Sequence, residues 1–226
     1  MEKLRQTLAW RKEFQVDRIK HCTDKDKGDE EFSKIMAHET ETGKMYVRGY
    51  DRDGRALLYM RGDREQTHDA VNNMRHLVWN IEKAIACTKR KSQVLGKSAV
   101  GLEKIIVIQD FTHFSLTKAP PLSVSKQTLT ILQSHYPERF HTFYCFNAPF
   151  VFKAFWTIVK PFVSQATKES IVFVSSAADM AKFHQRFDSR DSLEQVTGGT
   201  AVDKLAAWDA DAYVSLPLDV AFDESV

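Results

Sequence analysis

The stretch HYPERFHTFYCFNAPFVFKAFWTIVKPFVSQATKESIVFV, His135–Val174, decides the fold. It holds two short apolar runs, Thr142–Asn147 (TFYCFN) and Ser170–Val174 (SIVFV). Both are rich in aromatic and β-branched residues, the composition of strands buried on both faces. Between them Phe150–Lys160 reads as a helix whose polar residues, Lys153, Thr157 and Lys160, form one narrow stripe at i, i+4 and i+7. A strand, a helix and a second strand in that order make a crossover unit with parallel strands. Seven of the chain's fifteen phenylalanines lie between His135 and Phe162, so this unit holds much of the apolar material.

Working outward, Lys104–Asp110 (KIIVIQD) is a third buried run. Asp51–Gly54 is a turn signal that feeds a strand at Ala56–Met60. Thr67–Arg90 reads as a long amphipathic helix with Val71, Met74, Val78, Ile81 and Ile85 on one side, and Leu122–His135 as another helix. Ser176 and Asp179 form a capping-box start for a helix, and Ser192–Gln195 (SLEQ) repeats that signal before Gly198–Gly199. At the front, Leu4, Leu8, Phe14 and Ile19 recur at helical spacing, and Thr23–Lys34 reads as an exposed polar connector. The tail from Thr200 to Val226 holds six acids and one lysine and is expected to pack loosely. The alternation of strands and helices predicts an α/β fold, a mostly parallel sheet floor covered by helices.

Composition narrows the function. The 32 basic and 30 acidic residues are well mixed, which argues against a dedicated nucleic-acid binder. Cys22, Cys87 and Cys145 are far apart, which suggests reduced thiols and a cytoplasmic home. No signal-peptide pattern opens the sequence, and Phe140–Phe152, free of Asp, Glu, Lys and Arg, is too short to cross a bilayer as a helix. No GxGxxG follows a strand. Gly96–Ser98 (GKS) has Lys91 where a phosphate loop needs glycine. No GxSxG, HExxH or spaced Cys/His set occurs, so neither a catalytic centre, a metal site nor a bound cofactor is expected. His135 and His141 flank Tyr136–Arg139 without ligand spacing and read as surface or capping residues.

The helix at Phe150–Lys160 has two readings, a core helix sandwiched between layers or a lid over an apolar cavity that also touches a membrane. The second is energetically demanding. Lifting a two-chain lipid into water exposes about 30 methylenes at ~0.8 kcal/mol each, roughly 25 kcal/mol, which only a closed apolar cavity can offset.

Tyr136–Arg139 (YPER), Asn147–Phe150 (NAPF) and Lys160–Phe162 (KPF), in this order and followed by a strand, resemble the CRAL-TRIO lipid-binding family, which includes yeast-type phosphatidylinositol-transfer proteins. Tyr50–Arg61 (YDRDGRALLYMR), His76–Glu82 (HLVWNIE), Leu193 and Gly198–Gly199 extend the likeness over about residues 44–200. The resemblance implies a lipid-binding domain at 44–200, a remnant of a helical lobe with a polar connector at 1–43, and an acidic extension at 201–226. It also implies a non-catalytic carrier that holds one phospholipid, phosphatidylinositol first, in an apolar pocket and exchanges or presents it at membranes. Transient peripheral contact with membrane surfaces goes with that role. A tocopherol, retinoid or sterol cargo and a non-catalytic docking module in membrane signalling are the alternatives.

Carried over residue by residue, Glu138 and Arg139 would hold an inositol phosphate head group, with Lys168 close by. A guanidinium can grip phosphate with two parallel bonds, and a carboxylate accepts from hydroxyls. Their other reading is a salt-bridged helix end. The gate helix would be Phe150–Lys160, with Phe146, Phe150, Phe152, Phe155, Trp156, Val159 and Phe162 along gate and pocket. The sequence departs from the family at Ser170, where its phosphoinositide-binding lysine stands, and at Ile105 and Val107, where yeast exchangers carry phosphocholine-binding hydroxyls. His113 replaces a glycine, Glu194 replaces a proline, and the arginine-rich segment of the N-terminal lobe has no counterpart.

Overall fold

The hairpin at the start of the sheet turns on Asp51–Gly54. Asp51 Oδ1 accepts from the amides of Asp53 and Arg55 at 3.0 and 2.8 Å, and Gly54 takes φ +92°, which costs a residue without Cβ nothing. The turn joins β1 (Met45–Tyr50) to β2 (Ala56–Arg61) as an antiparallel pair. In the computed structural model, which describes residues 2–26, 28–66, 69–96, 103–115, 122–163, 165–187 and 208–222, three further strands follow: β3 (Ile105–Asp110), β4 (Phe140–Phe146) and β5 (Ile171–Val174). They join β2 in parallel, and the sheet runs in the order β1-β2-β3-β4-β5. The α/β reading therefore holds, with β1 as a strand that Arg48 and Gly49 had disguised.

Helices α1 (Glu2–Glu13), α2 (Val16–His21) and α3 (Glu30–Thr40) precede the sheet. The expected connector at Thr23–Lys34 thus ends early, because Asp29 caps α3 by accepting from the Phe32 amide at 3.1 Å. Phe32 and Met36, one turn apart, are buried by that helix. The 25-residue α4 (Ala70–Val94) follows an Asp69 cap that accepts from two amides. It packs on β1, β2 and β3 and on α2 and α3, burying Leu77, Trp79 and Ile81, while Val71 stays exposed.

The further α-helices among the described residues are α5 (Leu122–Thr130), α6 (Phe150–Val159), α7 (Gln165–Ser170), α8 (Ala177–His184) and α9 (Ala210–Ser215). A π-helical turn, Ile131–His135, closes α5 where one continuous helix was expected. Ser176 and Asp179 form the predicted capping box of α8. The second capping signal, Ser192–Gln195, lies outside the described residues, as do Leu193, Glu194 and Gly198–Gly199.

The tail differs from its expectation. Tyr213 of α9 is fully buried, its hydroxyl donating to Asn80 Oδ1 at 2.8 Å and accepting from the Val47 amide at 2.7 Å. Trp208 donates to the Thr40 carbonyl, and the Phe222 amide donates to the Val47 carbonyl at the outer edge of β1. Scattered acids gave the tail a loose reading; Trp208, Tyr213 and Phe222 make its contacts.

Candidate functional site

Register divides the side chains of β3, β4 and β5 between two faces. Val107, Phe143 and Ile171 are partners across the sheet, as are Gln109, Cys145 and Phe173. Tyr144 with Val172, and Phe146 with Val174, point the other way. On that second face Phe183 of α8 packs edge-on against Tyr144 and Phe146, with ring centroids 4.7 and 4.8 Å apart. Phe146 therefore belongs to the main core, on the side away from α6, rather than with the gate residues.

The first face carries a separate apolar cluster. Phe111, Cys145 and Ala148 are buried in it, and Phe114, Phe143, Phe152, Ile171 and Phe173 are half-buried around them. Phe152 ties α6 to this cluster, 4.4 Å from Phe111 and 6.3 Å from Phe173. Burial pushes the Cys145 thiol up to about 12, so it is an inert lining group. Strand parity was the signal that could have found Phe143, Ile171 and Phe173. It was masked because both faces of β4 are apolar.

Beyond Phe152, α6 turns outward. Phe150 is 84% exposed, Val151 50% and Ile158 70%. Phe155 and Trp156 are half-buried; the side chains of Val159 and Phe162 lie outside the described residues. The sandwiched-core reading of this helix fails: Phe150, Val151 and Ile158 each forgo half or more of the roughly 1.5–3 kcal/mol that full burial supplies. Lys153, Thr157 and Lys160 are exposed too, so the outward surface is apolar with two cations on it.

The residues that start α6 are tightly set. Asp110, at the end of β3, receives Tyr59 Oη at 3.1 Å on one oxygen and the Thr112 amide and hydroxyl on the other. Asn147 Nδ2 donates to Thr112 Oγ1 at 2.8 Å, and Asn147 itself adopts φ 51°. His113, where the family's glycine stands, has φ 60°, the left-handed region that glycine favours.

The polar candidates lie at the other end of the same strands. Glu138 and Arg139 immediately precede β4, and Lys168 sits in α7 three residues before β5. Because Phe143 pairs with Ile171, all three belong to the amino end of two neighbouring parallel strands. Glu138 is exposed, with φ 59°, and Arg139 Nη1 donates to Glu103 Oε2 at 2.5 Å. Lys168 is half-buried, and Ser170 closes α7. The seven residues of β4 separate this end from the start of α6. At ~3.3 Å per residue that is roughly 20 Å, close to the depth of one bilayer leaflet with its head groups, about half of ~40 Å. Ile105 and Val107, where the sequence departs from the hydroxyl side chains of the yeast exchangers, are buried.

Among the described residues, neither His135 nor His141 joins a reactive set. His135 stacks on Trp10, and His141, the extra residue of a bulge in β4, has Nδ1 2.8 Å from Thr142 Oγ1. Burial, then Arg55 and Arg186, holds the His141 pKa below its usual value. Among the described residues no cluster of three or more His, Cys, Asp or Glu could hold a metal, and no helix is long and apolar enough to cross a membrane.

Sheet order, flanking helices and an apolar helix set off from the main core define a mixed α/β domain with two unlike faces. The family model described as CRAL/TRIO domain matches residues 40–199, and the chain belongs to that family. It is 32% identical over 175 residues to "Phosphatidylinositol transfer protein PDR17" of Saccharomyces cerevisiae, covering 75% of this chain and 46% of that protein. It is 29% identical over 167 residues to "Alpha-tocopherol transfer protein-like" of Mus musculus, covering 71% of this chain and 44% of the other. The chain thus spans about half the length of these relatives. Among solved structures, the crystal structure of Sfh5 superposes with a TM-score of 0.60 at 16% identity, over 92% of this chain and 77% of that one, a likeness of fold.

Proposed function

We propose that this chain holds one phospholipid, phosphatidylinositol in the first place, between the gate-side face of β4–β5 and α6, and exchanges or presents it at membranes. One observation carries the reading: Phe143, on an inner strand, is only half-buried, as are Ile171 and Phe173 beside it, opposite a helix whose outer side chains are exposed. An inner strand ordinarily buries both faces. Acyl chains against that face would complete its burial, and α6, which packs on it through Phe152, is the wall that would move. The exposed Phe150, Val151 and Ile158, with Lys153 and Lys160, suit brief insertion into an anionic membrane surface. Glu138, Arg139 and Lys168 would meet the head group at the amino end of the strands. PDR17, whose name records phosphatidylinositol transfer, is a relative that favours this cargo.

In this reading residues 44–200 are the lipid-binding domain, with the segment 1–43 before it and the acidic extension 201–226 after it. No bond is made or broken, and the protein works from the cytoplasm. A second reading, an uncharged cargo, rests on Ser170 at the place of the lysine and on the likeness to the mouse tocopherol-transfer relative.

Native mass spectrometry of the purified chain and uptake of labelled phosphatidylinositol from liposomes test the proposal together. We expect a bound lipid mass and saturable uptake, and a ligand-free protein that takes up none overturns the reading. Arg139→Ala should lower phosphatidylinositol uptake on the order of tenfold by removing a charged bond, with the melting temperature kept. Unchanged uptake favours the uncharged cargo.

A further inference from the structure

We infer that α1, through Trp10 and Arg11, is a positioning element of the polar end of the site, setting the turn that presents Glu138 and Arg139. The inference rests on the head-group reading above, and extends it to residues outside the motif.

The π-helical turn Ile131–His135 leads straight into Tyr136–Arg139, and both of its exits are clamped. On the α1 side, Trp10 lies flat on His135, with centroids 4.0 Å apart and planes 2° from parallel. Thr7 Oγ1 donates to the Ser134 carbonyl at 3.1 Å. Tyr136 meets Trp10 edge-on at 6.1 Å and donates its hydroxyl to Glu82 Oε1 at 2.8 Å. Arg11 Nη1 donates to that same oxygen at 2.7 Å. Glu82 and Tyr136 are buried, so Arg11 supplies the charge that lets the carboxylate stay there. Burial and the neighbouring Glu82 raise the Tyr136 pKa, which keeps its hydroxyl protonated as a donor.

On the sheet side, the Arg139 carbonyl accepts from the Ile105 amide at 2.8 Å. Between Tyr136 and that bond the chain has few free torsions. Pro137 has its φ fixed near −65°, and Glu138 sits at φ 59°, a conformation that a residue with a Cβ holds only when its surroundings impose it. A π-turn is one residue out of step with an α-helix, so a shift of its register would redirect the segment that follows. Trp10, Arg11 and, on α4, Glu82 fix that register. None of them need touch the lipid.

The test compares Arg11→Met and Trp10→Ala with wild type, with Trp10→Phe as the conservative variant. Should Arg11→Met fail to fold, Tyr136→Phe loosens the same clamp without stranding a charge. Two readouts are used. Amide hydrogen exchange over Ile131–Arg139 should quicken about tenfold in Arg11→Met and Trp10→Ala, and stay near wild type in Trp10→Phe. Uptake from phosphatidylcholine vesicles is followed for labelled phosphatidylinositol and for labelled diacylglycerol, which has the acyl chains without the phosphoinositol. Phosphatidylinositol uptake should fall about tenfold, because a site loosened by an ångström loses most of its grip, while diacylglycerol uptake stays within about twofold. Unchanged exchange, or a parallel loss of both lipids, overturns the inference. If wild type takes up neither lipid, the carrier reading falls, and exchange alone decides whether α1 holds the turn.

Discussion

α4 and α6 reverse the usual relation between apolar composition and burial. α4 carries histidine, asparagine, glutamate and several lysines, yet buries thirteen of its residues, Trp79 and Ile81 completely. α6 is polar only at Lys153 and Thr157, yet none of its described side chains is buried. The cause is what each helix leans on. α4 lies across three strands and three helices, so polar groups such as Asn80, which bonds Tyr213, find partners there. α6 reaches the body through Phe152, with Phe155 and Trp156 half-buried, and leaves Phe150 and Ile158 facing out. Burial depends on neighbours, and an apolar helix without them is suited to a partner the chain itself does not supply.

The comparison breaks if α4 tolerates truncation. Trp79→Ala should cost about 3–5 kcal/mol, the range for a buried aromatic, measured as a shift in the urea midpoint. A loss under 1 kcal/mol would mean that α4 is not the keystone of the core.

A middle-sized effect comes from a charge inside α4. Lys83 is fully buried, donates to the Pro217 carbonyl at 2.8 Å, and lies 5.7 Å from the Trp79 ring and 5.3 Å from the Tyr213 ring. Burial lowers its pKa from 10.5 to about 8, with Cys87 and Asp219 working the other way. Between those values the unfolded chain binds the proton and the folded chain does not, so this group makes stability rise with pH from about 8 to about 10.5. The rise amounts to about 3 kcal/mol at most. Buried Tyr46, Tyr59, Tyr136 and Tyr213, whose pKa values are raised, act in the opposite sense above pH 10. The readout is therefore wild type minus Lys83→Met: the difference should climb through this window, and a flat difference would refute it.

The smallest stability effect belongs to α6. Phe150→Asp with Ile158→Asp should change stability by no more than about 0.5 kcal/mol per site, as at exposed positions. The same pair should slow lipid exchange with anionic vesicles by about tenfold or more, since it removes apolar area and adds repulsion. Lost stability with unchanged exchange would make α6 an ordinary structural helix.

Much of this contrast was legible in the residues. β3, β4 and β5 announce themselves because buried parallel strands must be apolar on both faces, and the narrow polar stripe of α6 marked it as unusual. Ser176 and Asp179 named their own helix start. The same rule hid other things. With both faces apolar, parity could not say that Phe146 looks toward Phe183 while Phe143 looks toward α6. α3 was obscured by its acidic first turn, which is what a helix start favours electrostatically but resembles a linker in composition. The clamp on Tyr136 depends on a π-turn that differs from an α-helix by one residue and on Trp10 and Arg11, more than 120 positions away. Periodicity carries no trace of such contacts.

The bond from the Phe222 amide to the Val47 carbonyl bears on solubility. β1 is the first strand of the sheet, and its outer backbone groups are a ready template for another chain. Phe222 occupies one of those groups and pairs with Arg48 across a single bridge, with its ring 5.7 Å from the Arg48 guanidinium. Phe222 thus covers part of the sheet's open edge and leaves fewer unpaired backbone groups there for a further strand to read.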